Sequence, residues 1–127
     1  MRVAFLLLFA VTALTACATR PGPIVFGSPE DPETTFPLDE RLEISWTASL
    51  SRQVEETSVN LVISPSGSTS EIFGYRQFIT DPDGTTVTNE MPLGRFIRDP
   101  GVYVMRYISA SGEVLAEGQF ELVADSS

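Results

Sequence analysis

The stretch Asp99-Pro100-Gly101-Val102-Tyr103-Val104-Met105-Arg106-Tyr107-Ile108, with its return from Glu113 to Val123, decides the reading of this chain. Side chains of a strand point alternately to opposite faces, so a half-buried strand alternates apolar with polar. The return segment does this. Val114, Ala116, Gly118, Phe120 and Leu122 fall on one face, and Glu113, Glu117, Gln119 and Glu121 on the other, with Leu115 as the interruption. The outgoing segment is apolar on both faces, Tyr103, Met105 and Tyr107 on one and Val102, Val104 and Ile108 on the other, which predicts an interior strand. Ser111-Gly112 supplies the turn chemistry of a hairpin. Arg106 is expected to lie across from an acid of the return strand such as Glu117.

The lead-in is more specific. Asp99-x-Gly101-x-Tyr103-x-Met105 resembles the Asp-x-Gly-x-Tyr-x-Cys stretch of immunoglobulin-like sandwiches, with Met105 in the place of the second cysteine. The resemblance implies that Tyr103 is a corner tyrosine, its ring buried and its hydroxyl bonded to upstream backbone. The wider string, Gly101-x-Tyr103-x-Met105-Arg106-Tyr107 followed by Gly112-x-Val114-Leu115-Ala116, is similar to the final hairpin of bacterial envelope immunoglobulin-like modules. The missing cysteine sets the chain apart from antibody-type domains. Asp99, Gly101 and Tyr103 are thus expected to be fold determinants.

Upstream, Leu42, Ile44, Trp46 and Ala48 share one strand face, with Arg41, Glu43, Ser45 and Thr47 on the other. Trp46 resembles the core tryptophan on an early strand of fibronectin type III-like sandwiches. Val59, Leu61 and Ile63 form the next alternating run, stopped by Pro65-Ser66-Gly67-Ser68. Glu71 to Ile79 is β-prone, with Gly74 marking a bulge. Asp81-Pro82-Asp83-Gly84 is a turn, Thr85 to Thr88 a short strand, and Met91-Pro92-Leu93-Gly94 its punctuation. Short strands separated by turn signals predict an all-β, antiparallel immunoglobulin-like sandwich of about seven strands over 38–127.

The N-terminus reads differently. Val3 to Ala16 is apolar except for Thr12 and Thr15, and follows Arg2. It is shorter than the ~20 residues of a spanning helix and has the length of a signal-peptide core, so 1–16 is expected to be a signal-peptide helix. Leu14-Thr15-Ala16-Cys17 resembles the lipobox of bacterial lipoproteins. That implies cleavage before Cys17 and lipid on its sulfur and new amino group. Several acyl chains anchor stably where one is marginal. Cys17 is the only cysteine, so no internal disulfide can form. Ala18 stands where an inner-membrane lipoprotein carries aspartate, implying the outer membrane. Residues 17–37, with Pro21, Pro23, Pro29, Pro32 and Pro37, are expected to be a tether, in which Ile24-Val25-Phe26 has the composition of a short edge strand.

Composition narrows the function. The net charge is -9 over 127 residues, with no histidine, and all eight cations are arginines. An acidic chain is a poor partner for nucleic acid or for anionic headgroups. Without histidine there is no serine-histidine triad and no histidine zinc site, and without lysine no Schiff base. Paired carboxylates, as glycosidases use, remain the chemistry of a small hydrolase, for which so short a chain leaves little room. Asp81-x-Asp83-Gly84 invites a calcium reading, with Asp99 or Glu90 as further ligands. The EF-hand pattern itself fails, because Pro92 stands where its bidentate glutamate belongs. The expected function is non-catalytic: an envelope lipoprotein with no cofactor beyond its covalent lipid, presenting a module to another envelope protein through loops or strand addition. A calcium-dependent adhesion or polysaccharide-binding module is the alternative.

Overall fold

The computed structural model describes residues 20–81 and 83–125. The expected signal peptide, 1–16, and the residues read as a lipobox, Leu14, Thr15, Ala16 and Cys17, lie outside them. The described residues form nine strands: β1 (Gly22–Ser28), β2 (Asp31–Pro32), β3 (Thr35–Leu38), β4 (Ile44–Ser49), β5 (Ser58–Pro65), β6 (Phe73–Phe78), β7 (Thr86–Met91), β8 (Gly101–Ile108) and β9 (Val114–Ala124). A single 3₁₀ turn, Leu93–Arg95, precedes β8.

The hydrogen-bonded path runs β6-β5-β8-β9-β1-β4-β7, with β3 also on β9 and β2 on β1. It folds over on itself at β1. Gly22 and Pro23 pair with β9, and Ile24 to Phe26 pair with β4. Consequently Trp46 of β4 meets Tyr107 of β8, and Gln77 of β6 reaches Thr88 of β7, joining the two ends of the path. The core between the layers holds Phe26, Trp46, Leu61, Met105, Tyr107, Phe120 and Leu122.

Close approach makes the crossover possible. A Cβ on Gly22 would lie 1.7 Å from the Ser49 carbonyl oxygen, and one on Gly118 would lie 2.7 Å from Ile24 Cβ. Glycine is the residue that lets backbone come this near.

The expected hairpin is present in detail. β8 lies between β5 and β9, as an apolar strand on both faces should. The break in alternation at Leu115 is a bulge: Tyr107 faces Ala116 and Ile108 faces Val114, so Leu115 is the extra residue, and both Leu115 and Ala116 are buried. Arg106 does lie opposite Glu117, with Nε donating to Oε2 at 2.8 Å.

Other expectations need correction. The stretch 22–37 is not a tether but part of the sandwich. Ile24, Phe26 and Phe36 are core residues, and the domain begins at β1 instead of at 38. Its prolines are tolerated because Pro23 and Pro37 sit in short pairings where alternate amides point away from the neighbour. The sandwich is also not purely antiparallel, since β1 and β3 both run parallel to β9. Gly74 makes no bulge, because β5 and β6 keep one register from Ser58↔Phe78 to Ile63↔Phe73.

Candidate docking edge

The residues singled out around the hairpin prove to be the frame. The Tyr103 hydroxyl donates to the Asp99 carbonyl, closing the corner, and burial together with the nearby Asp99 charge raises its pKa. Its ring stacks on Phe120 at 5.8 Å, and Phe120 packs on Phe26 at 5.1 Å. Gly101 has φ 154°, and Met105 is fully buried where the disulfide of an antibody domain would stand.

Trp46 belongs to a polar chain that sequence reading did not find. Its Nε1 donates to the Tyr107 hydroxyl at 2.8 Å, which donates to Gln77 Oε1 at 2.6 Å. Asn89 Nδ2 donates to the same Gln77 oxygen at 3.1 Å, while Gln77 Nε2 donates to the Thr88 carbonyl at 2.9 Å. Burial pushes the Tyr107 phenol far above its ordinary value. It therefore stays neutral and serves as donor and acceptor at once. The alternation of β6 carried a signal for Gln77, since a polar residue at an inward position needs partners.

Asp81 and Asp83 do not come together as ligands. The Asp81 carboxylate accepts from the amides of Thr85 and Thr86, both at 3.2 Å, and more distantly from that of Asp83. These bonds hold its pKa below the usual carboxylate value and make it the cap of the turn. Among the described residues, no group of three or more acidic or thiol side chains is placed to hold a metal ion. Asp99 and Glu90 therefore do not complete a calcium set with Asp81 and Asp83.

Among the strands with one side unpaired in the described residues, which include β3 and β7, β6 is the one that carries exposed apolar side chains. On one side it pairs with β5, and among the described residues no strand pairs along the other. The large exposed apolar side chains gather here. Phe78 is 65% exposed, Tyr75 46% and Ile72 42%, and Phe96, 55% exposed, packs on Phe73 at 5.0 Å. Only Val123 lies elsewhere among the large apolar residues exposed in the described part. Arg76 sits over the Phe78 ring at 5.9 Å and donates to Ser58 Oγ. Beside it, on the outer face, is a shallow hollow of about 470 Å³ lined by Asn60, Val62, Glu71, Gly74, Arg76 and Ile108. Native edges are normally blunted by proline, bulges or cover. This one has a single arginine. The sequence pattern did not reveal it, because a β-prone composition does not distinguish an edge strand from an interior one.

Comparison with known proteins bears on the fold. An immunoglobulin-like protein from Pseudomonas aeruginosa is similar in structure, with a TM-score of 0.50 and 16% identity, over 83% of this chain and 95% of that one. The likeness establishes an immunoglobulin-like fold. No protein-family model matches the chain, and no curated protein matches it.

Proposed function

We propose that this chain is a non-catalytic cell-envelope lipoprotein, anchored by lipid on Cys17 and presenting its immunoglobulin-like module to a protein partner along the β6 edge. The observation that carries the docking role is the gathering of Ile72, Tyr75, Phe78 and Phe96 at an unpaired strand edge. Unpaired amides and carbonyls give affinity to an added strand, and flanking apolar side chains give it selectivity. The anchor rests on Leu14-Thr15-Ala16-Cys17 at the end of an apolar run. The absence of aspartate at Ala18 favours the outer membrane, facing the periplasm.

The start of β1 at Gly22 gives the anchor a physical consequence. Residues 18–21 alone separate Cys17 from the sandwich, a reach of at most ~14 Å. The module is held near the lipid surface, so its partner is an envelope protein within that layer.

One intact-cell experiment tests both halves. Wild-type protein should incorporate labelled acyl chains and sediment with membranes, and Cys17→Ser should do neither. A photo-crosslinking residue in place of Phe78 should capture protein, while one in place of the exposed Gln119 should not. Unlabelled wild-type protein overturns the anchor, and no adduct at Phe78 overturns the docking edge.

A further inference from the structure

We propose that the occupant of the β6 edge is a second copy of this chain, paired antiparallel about a two-fold axis at Tyr75. The inference rests on the reading of β6 as a docking edge and names its partner.

The free backbone groups come first. Ile79 donates to the Thr57 carbonyl, and Phe73, Tyr75 and Gln77 lie opposite Ile63, Leu61 and Val59. Hydrogen-bonded and non-bonded residues alternate along an antiparallel pair. The amides of Phe73, Tyr75 and Gln77 therefore serve β5, and those of Gly74, Arg76 and Phe78 point to the open edge.

Side-chain faces then restrict the register. Residues opposite one another share a face, so the axis of a self-pair passes through a residue. An axis at Arg76 sets two guanidinium groups directly opposite, which is destabilising. An axis at Gly74 leaves Phe78 beyond the pairing, and one at Gln77 leaves out Ile72. An axis at Tyr75 places Tyr75 against its own counterpart. It also brings the second copy's Phe78 beside Ile72, which precedes the strand with its amide bonded to the Ile63 carbonyl, so the exposed apolar side chains at this edge each find an apolar partner.

Charge agrees with this register. Glu71 lies over Gly74, its Oε1 2.6 Å from the place a Cβ would occupy. Neither Glu71 nor Arg76 makes an ion pair among the described residues. With the axis at Tyr75, the second copy's Arg76 stands opposite Gly74, where no side chain blocks it, and meets Glu71. Symmetry makes the contact twice.

Cysteine pairing in the full chain reads the register directly. Residues in a non-hydrogen-bonded pair have Cα atoms ~4.5 Å apart, within disulfide range. Tyr75→Cys should form a disulfide dimer on oxidation in intact cells, and wild-type protein, carrying Cys17, should not. Ile72→Cys combined with Phe78→Cys should also crosslink, whereas either alone should lose the dimer. In the Tyr75→Cys background, Arg76→Glu should abolish the dimer, and adding Glu71→Arg should restore it. No dimer from Tyr75→Cys, or equal yield from Ile72→Cys alone, overturns the proposal. If Phe78 then captures a different protein, the docking edge stands and the second copy falls. If nothing is captured, both fall.

Discussion

Tyr107 shows how one residue ties the layers together. It is fully buried, accepts from Trp46 of β4 and donates to Gln77 of β6. Removing its hydroxyl leaves a buried indole N–H without an acceptor, and a group stranded in this way costs more than an average hydrogen bond returns. Tyr107→Phe should therefore lower unfolding stability by about 1–3 kcal/mol, read as a lower urea midpoint with unchanged slope. The sequence placed Trp46 on a core face and Tyr107 on the face of Tyr103 and Met105, because strand alternation is local information. It did not reveal their bond, because the two lie on strands brought together by the crossover at β1. Tyr103 was more legible. Its partner, the Asp99 carbonyl, is a few residues upstream, and the motif Asp99-x-Gly101-x-Tyr103 contains the whole corner.

At the scale of elements, the turn between β6 and β7 illustrates how a motif divides between two chemistries. Asp81-x-Asp83-Gly84 suits both a turn cap and a calcium loop, and the deciding fact is where the carboxylate points. It points at the amides of Thr85 and Thr86, while Gly84 takes φ 65°. Because these bonds favour the charged form, the folded-state pKa lies below the ordinary value of 3.8. A group lowered on folding contributes stability above its unfolded pKa and loses it as pH falls through the folded one. Wild-type protein should thus melt above Asp81→Ala by a constant margin at neutral pH. The margin should narrow once the pH drops below 3.8 and vanish in stronger acid, as thermal melts across pH would show. An undiminished margin in strong acid would mean that the aspartate acts through something other than its charge. β6, on the far side of this turn, was the least legible strand. Its composition says only that it is a strand, and whether a strand is interior or edge depends on neighbours far away in sequence.

The whole molecule is decided by the segment whose composition disguised it. Five prolines between Ala18 and Pro37 read as a tether, yet β1 and β3 occupy this stretch and do two separate jobs. β1 carries the path from one layer to the other, and β3 covers β9 from Glu121 to Ala124. Neither pairing is visible to local periodicity, because parallel partners of β9 are distant in sequence and each contact is short. Their energetic weight is nonetheless large. Ile24, Phe26 and Phe36 are buried, and each large apolar side chain taken from water contributes about 1.5–3 kcal/mol. Such a sum rivals the entire net stability of a small domain, ~5–15 kcal/mol. A chain beginning at Asp39 would also expose β4 and β9 as new edges, each an invitation to aggregate. It should fail to give a cooperative thermal transition and should associate non-specifically in sedimentation, whereas a chain beginning at Arg20 should melt in one step. Cooperative folding of the shorter chain would restore the tether reading and, with it, a reach from the membrane several times the ~14 Å left by residues 18–21.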